Sequence, residues 1–492
     1  MRIQYISILL LPLCTQLYAQ PVRLKLPVQI NMPNFNHFAP SISADGMTMI
    51  FSTDNHHITD ENRLLMKISY NKGGGENWGT PEEVEIVNKS GILNLYGAHS
   101  ISADGNTIYF TSKKIGGVGG FDIWFTDKKE GKWTIPQNLG KPVNSAGAEG
   151  YPSLSPDGKF LYFVRCATMA NAGCDQCKLY VAEHKGQELF KEPIEMPAHI
   201  NAFSVMAPRI AKDGKTLTFS SKRTDSKGGY DLYMTRKNGL QWSEPKNMDF
   251  LNTADDEKYA DFTPQGESVV YSNLWNGYLN IFKAKTPANF QPSRVLLLTG
   301  TATISPKQPT NGYLQISDNI TGQPISISRI DLDGKFTAVL PVGIAYDVAV
   351  TSGNELFFWS QTYDTRQETK SRKEEIEATL PKPEIETLYH GNKALYDSTN
   401  YQLLPGASLE CKRLSKLFQA HPEWKINMVI FPLGICENAP IDPVSAYEKM
   451  KTALQEELAK TGLATEQLVF TNGFQTADEE NNYSGWGWMI LE

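Results

Sequence analysis

The stretch Pro40-Ser-Ile-Ser-Ala-Asp-Gly46, followed by the apolar run Met47–Ser52, recurs along the first half of the chain and decides the fold. The copies are His99–Gly105, Pro152–Gly158, Pro208–Gly214 and a weaker Asp261–Gly266. Asp-Gly favours a tight hairpin turn because glycine adopts positive φ, and the alternating apolar residues that follow predict strands. Self-similarity at a fixed period is the sequence signature of an architecture built from repeated units.

Each copy is followed by the same two features. The first is a second predicted strand, at Asp122–Phe125, Lys178–Val181, Asp231–Met234 and Asn280–Phe282. The second is an aromatic residue three positions before a proline, at Trp78/Pro81, Trp133/Pro136, Phe190/Pro193 and Trp242/Pro245, with Phe290 and Pro292 in the deviating fifth copy. Proline is tolerated on an edge strand, so this feature predicts the outer strand of each unit. A unit of about four strands cannot bury both of its faces, and closure into a ring solves this problem.

These motifs resemble the PD40 type of WD40-like propeller blade, as found in the TolB family, over about residues 22–294. The resemblance implies a β-propeller for residues 20–294. Five copies predict five blades, and a six-bladed ring is the alternative. Residues 22–30 are expected to add an outer strand to the last blade and so close the ring. Because Asp45, Asp104, Asp157 and Asp213 repeat, we predict that they are turn residues rather than catalytic acids.

The first 19 residues are predicted to be a signal peptide. Arg2 precedes an apolar run from Ile6 to Leu13, and Ala19 lies at a cleavage position. The run is too short to span a bilayer as a stable helix. A lipoprotein with Cys14 acylated is the competing interpretation. On either interpretation the chain is exported, and we expect a periplasmic protein associated with the outer membrane, without a membrane span of its own.

The charge balance excludes some partners. The chain carries 47 basic and 54 acidic residues, a net charge of −7. This sign is unfavourable for general binding to nucleic acid or anionic lipid. The many aromatic, glycine and proline residues, with few helical patterns before residue 400, predict a mainly β chain.

The cysteines after the predicted cleavage site are candidates for disulfides. They are Cys166, Cys174, Cys177, Cys411 and Cys436. Cys174 and Cys177 form a CxxC motif that would suit zinc or redox chemistry, but no histidine lies nearby to complete a zinc site, and the motif precedes a strand instead of opening a helix. We therefore favour a disulfide that staples a hairpin loop, and a second bridge between Cys411 and Cys436 is an open alternative.

The pattern changes over residues 295–383. A strand run at Val295–Ile304 precedes turns at Thr321–Ile325 and Asp331–Phe336, and a further strand follows a Leu-Pro-x-Gly turn. This order resembles the carboxypeptidase regulatory-like domain and implies a small transthyretin-like β-sandwich without peptidase activity. The sequence Asp331-Leu-Asp-Gly334 lacks the further oxygen ligands of a calcium loop and predicts a turn. Residues 364–383, rich in Lys, Glu and Pro, are expected to be a solvated edge and linker.

Residues 384–492 mix helix and strand. A helix is predicted from the apolar spacing Ala407, Cys411, Leu414 and Phe418, and a second from Tyr447, Met450, Leu454 and Leu458. Asp442 is expected to cap the second helix, with Pro443 at its first position. Strands are predicted at Ile426–Ile430, Leu468–Phe470 and Trp486–Leu491, which gives the order β-α-β-α-β with a terminal strand.

This order resembles the OmpA-like peptidoglycan-binding domain, but the residues that bind the ligand in that family do not match. The family's aspartate is replaced in the segment Phe431-Pro-Leu-Gly434, its helix arginine by Glu448, and its terminal arginine pair by residues 484–488. An arginine would hold the ligand carboxylate by charge-assisted hydrogen bonds, and a glutamate would repel it. We therefore expect a degenerate OmpA-like domain with weak or no peptidoglycan binding.

The three domains together resemble the PorE family of type IX secretion components, although this chain lacks that family's helical repeat. The resemblance implies a non-enzymatic adaptor or scaffold in a secretion or gliding machinery, with other envelope proteins as partners. The alternatives are a propeller-based receptor for a small molecule, glycan or peptide, and a peptidoglycan anchor. No Gly-x-Ser-x-Gly or His-Glu-x-x-His motif is present, so no catalytic residue and no cofactor is predicted.

Overall fold

The computed structural model describes residues 22–54, 64–69, 78–88, 99–113, 116–129, 131–170, 173–186, 189–304, 308–310, 312–354, 357–391, 394–397, 400–431, 442–473 and 485–491. The predicted signal peptide, with Cys14, lies outside these ranges. Within them the chain is dominated by strands, with three α-helices, which confirms the prediction of a mainly β protein. None of the helices in the described ranges has the length and apolarity needed to cross a membrane.

Five antiparallel sheets form in the first 285 residues. Strand β1 is Arg23–Lys25. The first sheet contains β2 His37–Ile42, β3 Thr48–Thr53, β4 Leu64–Ser69 and β5 Glu82–Glu83, followed by the one-turn helix α1 Glu85–Asn88. The second contains β6 His99–Ile101, β7 Thr107–Ser112, β8 Asp122–Lys129, β9 Lys132–Trp133 and β10 Gln137–Asn138. The third contains β11 Ala148–Leu154, β12 Phe160–Cys166, β15 Lys178–Gly186, β16 Leu189–Phe190 and β17 Ile194–Glu195, with a side hairpin of β13 Thr168–Ala170 and β14 Gly173–Asp175.

The last two sheets repeat this plan. The fourth contains β18 Val205–Ile210, β19 Thr216–Ser221, β20 Asp231–Asn238, β21 Gln241–Trp242 and β22 Lys246–Asn247. The fifth contains β23 Glu257–Phe262, β24 Ser268–Trp275 and β25 Tyr278–Lys285, with β1 as its outer strand. The aromatic residues predicted on outer strands lie there in three sheets, as Trp133, Phe190 and Trp242.

The repeated Asp-Gly pairs form the turn between the first and second strand in four sheets, and Gln265-Gly266 forms it in the fifth. The glycines Gly46, Gly105, Gly158, Gly214 and Gly266 have φ between 66° and 75°. In the first sheet the carboxylate of Asp45 accepts the amide proton of Met47 at 2.9 Å and the hydroxyl proton of Ser43 at 2.5 Å. The same contacts recur at Asp104 and Asp157, and Asp213 likewise accepts amide protons of its own turn. The structure therefore places these aspartates in turns, as predicted.

The sheets are arranged as a ring. The first strands β2, β6, β11, β18 and β23 each contact the first strand of the preceding and following sheet, and β23 contacts β2. The chain start closes this ring, because β1 pairs antiparallel with β25, with Arg23 opposite Ala284. Sheets packed radially in this way, with short outer edges, form a β-propeller.

In four of the sheets, an asparagine side chain joins the third strand to the loop beside it. The side-chain amide of Asn31 accepts the amide proton of Ile281 and donates to its carbonyl, both at 2.8 Å. Equivalent two-way pairs join Asn144 to Ile123, Asn201 to Leu179 and Asn252 to Leu232. Because Asn31 precedes the first sheet but bonds to the fifth, this contact also helps to close the ring.

Residues 295–380 form two facing four-stranded sheets. One contains β26 Val295–Ile304, β27 Gln308–Pro309, β30 Lys335–Pro341 and β33 Arg372–Leu380, and the other β28 Tyr313–Asp318, β29 Pro324–Arg329, β31 Ala345–Thr351 and β32 Phe358–Asp364. Their shared core includes Leu296, Leu298, Leu314, Val348 and Val350. Gly334 has φ 75° and the Asp331 side chain accepts the Lys335 amide proton, so this segment is a turn, as predicted.

The prediction of a solvated edge and linker over residues 364–383 is wrong for its central part. Strand β33 pairs in parallel with the whole length of β26, from Leu296 opposite Arg372 to Ile304 opposite Leu380. Its side chains alternate between exposed charged residues and the buried Ile376, Ala378 and Leu380. The high content of Lys and Glu masked this period of two, which is the pattern of a half-buried strand.

The last domain has the predicted order of elements. It contains β34 Tyr389–His390, α2 Ala407–Gln419, β35 Lys425–Phe431, α3 Pro443–Lys460, β36 Leu468–Asn472 and β37 Gly485–Leu491. The sheet order is β34-β37-β35-β36, with β35 parallel to β36. Asp442 caps α3 by accepting the amide protons of Val444 and Ser445 at 3.0 Å. The apolar stripes of both helices are buried against this sheet.

A buried charge network joins this domain to the sandwich. Asp347 on β31 is fully buried and forms an ion pair with Arg413 on α2. Arg413 also contacts Glu410 at 3.2 Å, and Glu410 accepts the hydroxyl proton of Ser360 on β32 at 2.6 Å. Burial alone would lower the pKa of Arg413, but the hydrogen bonds and charges of the two carboxylates outweigh it and raise that pKa.

Candidate functional site

The two faces of the propeller differ. We call the face that carries the glycine turns at Gly46, Gly105, Gly158, Gly214 and Gly266 the turn face. The opposite face, where the first strand of each sheet begins, is the open face. On the turn face, Ala44 and Ala103 pack against Val295, Leu297 and Val339 of the sandwich. The ammonium of Lys159 also donates to the carbonyl of Ile325 at 2.8 Å. The sandwich therefore covers part of the turn face.

The open face has no such cover within the described ranges. No hydrogen bond, ion pair or apolar cluster of the described residues joins it to the sandwich or the last domain. Its connections between second and third strands also differ from sheet to sheet, unlike the turns of the other face. They span residues 113–121, 167–177, 222–230 and 276–277 in the second to fifth sheets. A binding site needs residues that differ between repeats, so the open face is the first candidate site.

The fourth and fifth sheets place cations against aromatic rings on the open face. The ammonium of Lys222 lies 4.6 Å from the centre of the Tyr230 ring, and that of Lys258 lies 4.8 Å from the same ring. Lys258 is also paired with Asp256 at 2.9 Å, and Asp256 accepts the Tyr230 amide proton. Contacts of this kind hold side chains in place at an exposed surface while leaving part of each cation accessible.

Two further aromatic features flank this cluster. The guanidinium of Arg223 lies 5.2 Å from the centre of the Phe203 ring, and Phe203 is 37% exposed. At the tip of β24 and β25, Trp275 is 54% exposed and Tyr278 is 37% exposed. A two-residue turn projects them, with φ 52° at Asn276 and 83° at Gly277. Exposed aromatic rings on ordered elements are typical anchors of protein interfaces.

The centre of the ring is closed by one arginine. Arg209 on β18 is 3% exposed, and its guanidinium donates to the carbonyl of His99 in the second sheet at 2.5 Å and to that of Pro152 in the third at 3.0 Å. Burial and, second, the charge of Arg209 lower the pKa of His99 to about 3, so His99 is neutral at pH 7. Arg209 thus fills the axis at this level.

Arg209 occupies a position that breaks the repeat. The matching residues of the first three sheets are serines, and Ser100 and Ser153 accept an amide proton from the next sheet, of Leu154 and Ile210. In the fifth sheet the matching residue is Asp261, which accepts the amide proton of Ile42 at 2.8 Å and lies 3.7 Å from the ammonium of Lys212. The departures from the repeat therefore serve ring closure at the axis.

Two first strands carry a buried glutamate at their open-face ends, and a buried carboxylate is a candidate for a catalytic role. Glu149 accepts hydrogen bonds from Ser145 and pairs with Arg165 at 2.7 Å. Glu257, at the equivalent place in the fifth sheet, accepts from Thr253 and from the amide of Asn273 at 2.5 Å. Both are fully buried and hold the loop before their strand, so the geometry assigns them a structural role.

The difference between these two glutamates predicts a pH effect. Asn273, which donates to Glu257, carries no charge, whereas Glu149 is paired with Arg165. Burial raises the pKa of Glu257 from 4.5 to about 7. The stabilising effect of the protonated form is complete below pH 4.5 and is lost as the pH rises through about 7, a change of about 3 kcal/mol. We expect Glu257→Gln to be more stable than the native protein at pH 8 and to flatten this pH dependence, measured by thermal unfolding between pH 4.5 and 8.

Glu149→Gln is the matched control. It leaves Arg165 without its partner and should destabilise the protein at pH 8, with no such gain. If Glu257→Gln lowers the melting temperature at pH 8 as much as Glu149→Gln does, the assignment of a poorly compensated charge to Glu257 is wrong.

The structure pairs two of the candidate cysteines. Cys166 at the end of β12 is bonded to Cys177, and the bridge closes the loop 167–177 on the open face. The backbone of Cys174 lies in β14, opposite Met169. Cys411 is buried in α2, and Cys436, its proposed partner, lies outside the described ranges. Within those ranges no group of three or more His, Cys, Asp or Glu side chains is arranged to hold a metal ion.

We expect the bridge to stabilise the propeller measurably. A cross-link over a sequence separation of 11 residues restricts the unfolded chain by about 3 kcal/mol. Replacing both Cys166 and Cys177 by alanine should therefore lower the melting temperature, and dithiothreitol should lower that of the native protein but not of the variant. Calorimetry with and without reductant checks this. Equal sensitivity of both proteins to reductant would contradict the pairing.

The predicted position of the lost peptidoglycan contact lies on the surface of the last domain. Glu448 on α3 is exposed and lies 3.4 Å from Lys451, its neighbour one turn along the helix. Of the segments expected to replace the family's other ligand-binding residues, 432–434 lies outside the described ranges, whereas 485–488 forms the first part of β37. Among the described residues, Lys451 is the one cation that forms an ion pair with Glu448.

A cleft lies where the last domain meets the sandwich. Its volume is about 390 Å³. Phe358 on β32 and Tyr389 on β34 supply half-buried rings to its wall, and Lys382, Glu384 and His390 supply polar groups. Concave sites with aromatic walls and a few polar groups suit small ligands, so this cleft is the second candidate site.

Comparison with known proteins finds similar solved structures only. No protein-family model matches the sequence, and no curated protein sequence does. Similar solved structures include a putative TolB from Agrobacterium tumefaciens, with 18% identity, a TM-score of 0.32, and coverage of 49% of this chain and 70% of that one. TolB from Acinetobacter baumannii is 16% identical, with a TM-score of 0.32 and coverage of 51% and 54%. An endo-arabinase from Bacteroides thetaiotaomicron is 16% identical, with a TM-score of 0.37 and coverage of 54% and 97%.

At these identities and TM-scores the similarities carry no argument about this chain. The class of protein that the fold defines is a mainly β chain with a β-propeller.

Proposed function

We propose that this chain is a non-enzymatic adaptor of the bacterial envelope, periplasmic and associated with the outer membrane, which binds a partner protein through the open face of a five-bladed propeller. The observation that carries the proposal is the asymmetry of the two faces. The sandwich occupies the turn face through Ala44, Ala103 and Lys159, while the open face presents the non-repeating loops and the exposed Phe203 and Trp275.

The connections between the domains support a scaffold role. Arg413 ties the last domain to the sandwich through the buried carboxylates Asp347 and Glu410, and apolar contacts tie the sandwich to the propeller. An adaptor must hold its binding surfaces at fixed separations, and such contacts do this. The sandwich is proposed to be regulatory-like and the last domain OmpA-like with weak or no peptidoglycan binding, consistent with Glu448 at the position of the family's arginine.

The test is purification of the tagged protein from its native envelope, with mass spectrometry of the material that comes with it. We expect stoichiometric recovery of other envelope proteins, and recovery of secretion or gliding components would extend the proposal to a type IX machinery. Recovery of the tagged protein alone, after gentle cross-linking as well as without it, would refute a stable adaptor role.

A receptor for a small molecule, glycan or peptide is the second candidate function. The axis of the propeller offers little support for it, because Arg209 fills the centre. The cleft beside Phe358 and Tyr389 favours it instead. Screening glycans and peptides by calorimetry against the native protein and Tyr389→Ala tests this: a ligand bound by the first and not by the second would favour the receptor.

A further inference from the structure

A recess on the turn face of the fourth sheet has a charge character of its own. It lies between the Gly214 turn, the end of β20 and the segment that leads to the sandwich, and its volume is about 490 Å³. The lining residues are Gly214, Lys215, Thr216, Arg236, Lys237, Asn238, Gly239 and Ser293.

All the charged residues of this lining are cations. Among the described residues, no carboxylate lies within 4.0 Å of a charged nitrogen of Lys215, Arg236 or Lys237. Three other recesses on the described surface each contain acidic residues: Glu410 lines the first, Asp127 the second and Asp45 the third. The chain as a whole carries a net charge of −7, so the electrostatic potential of this recess is opposite in sign to that expected from the net charge.

Arg236, which lines this recess, lies at a position that varies from sheet to sheet. The residue opposite the first residue of the second strand is not conserved in charge between the sheets: it is Ser69, Asp127, Glu183, Arg236 and Lys285 in the first to fifth sheets. Asp127 serves the repeat by accepting the hydroxyl proton of Thr107 at 2.9 Å. In the fourth sheet Asp213 accepts the equivalent hydroxyl proton of Thr216 at 2.7 Å, so Arg236 takes no part in this contact.

The local structure holds Arg236 in place. One terminal nitrogen donates to the carbonyl of Gln291 at 2.6 Å, while its buried Nε has no partner among the described residues. The nearest acidic group, Asp213, already accepts protons from Thr216 and from the Ser293 amide at 2.7 Å. Lys215 is exposed at the rim of the recess. The ammonium of Lys237 lies 5.4 Å from the centre of the Phe160 ring and adds positive charge from the side of the third sheet.

We propose that this recess binds a phosphate group, with Arg236 and Lys215 as its direct ligands. The planar guanidinium offers paired donors to two oxygens of a phosphate, and the ammonium of Lys215 can contact a third. The recess is independent of the open face, so it adds a second binding function to the proposed adaptor. The phosphate group can belong to a soluble phosphate ester or to the head group of a lipid, and the two sources present the same chemistry to these residues.

The test measures binding of glycerol 3-phosphate by calorimetry, and of vesicles of phosphatidylglycerol in phosphatidylcholine by co-sedimentation, with the full mature chain in both cases. We expect saturable binding in at least one of them, weakened by salt, and about a tenfold loss of affinity in Lys215→Gln and in Arg236→Gln. Lys222→Gln is the matched control, because it removes an exposed cation from the open face.

The outcomes separate the sources and the proposal itself. Binding of glycerol 3-phosphate that is lost in Lys215→Gln supports a soluble ester, and binding confined to the phosphatidylglycerol vesicles and lost in the same variant supports a lipid. Absence of both, or binding that Lys222→Gln weakens as much as Lys215→Gln does, would overturn the proposal. The Lys215 side chain is exposed and forms no hydrogen bond or ion pair with the described residues. The Lys215→Gln variant is therefore expected to fold even if Arg236→Gln does not.

Discussion

Replacing Arg209 by methionine is expected to lower the melting temperature of the propeller by about 6 to 12 °C. Methionine can fill part of the space but cannot donate to the carbonyls of His99 and Pro152, which would remain buried without these partners. The charge of Arg209 also compensates the buried Asp261. Loss of hydrogen bonds from a buried charged donor, with acceptors left unpaired, costs about 3 kcal/mol, which gives the stated shift for a domain of this size.

Calorimetry of the mature chain checks this expectation, with Arg329→Met as the control. Arg329 is exposed on β29, and its replacement should change the melting temperature by less than about 2 °C. A normal melting temperature in Arg209→Met would mean that the axis of the ring is not closed by this side chain.

Replacing Arg413 by methionine is expected to release the last domain from the sandwich. The variant keeps the apolar stem but leaves two carboxylates, those of Asp347 and Glu410, buried without a cation. Removing one partner of a buried ion pair typically costs 3 to 5 kcal/mol, so we expect a loss of about 4 kcal/mol. Chemical denaturation should show an earlier transition of the last domain, and limited proteolysis should cut between residues 380 and 400.

A double-mutant cycle with Asp347→Asn separates the ion pair from general damage. Removing the acid as well should recover part of the stability lost in Arg413→Met, because one uncompensated charge disappears. Additive losses in the double variant would contradict a direct interaction. Arg366→Met, at an exposed pair with Asp364, is the matched control and should have little effect.

The repeat predicted much of the propeller because its features are local. The Asp-Gly turns and the alternating strands depend on residues that are neighbours in the chain, and the structure shows them at Gly46, Gly105 and their counterparts. The outer strand at the chain start was also predicted, and Arg23–Lys25 pairs there. The buried asparagines were missed, although an aliphatic residue precedes each of them, as in Ile30-Asn31 and Ile200-Asn201. That recurring pair was the available signal.

The features that carry function could not be read from the sequence. Arg209 stands in the repeat where serines stand, but its contacts with His99 and Pro152 depend on the curvature of the whole ring. The sequence also does not show which face the sandwich covers. Ala44 and Ala103 belong to the repeated turns, and only the fold brings them against the sandwich. The cationic recess likewise depends on the fold, because only the fourth sheet brings Arg236 and Lys215 together with Ser293.

The most direct test of the account compares open-face variants in the purification from the native envelope. Phe203→Ser and Trp275→Ser remove exposed aromatic side chains of the open face. Leu240→Ser is the control, because it removes an apolar side chain that is 95% exposed at the hairpin between β20 and β21. We predict that the two open-face variants together reduce partner recovery at least fivefold and that Leu240→Ser leaves it unchanged. Full recovery with the open-face variants, at normal protein levels, would contradict the claim that this face binds the partner.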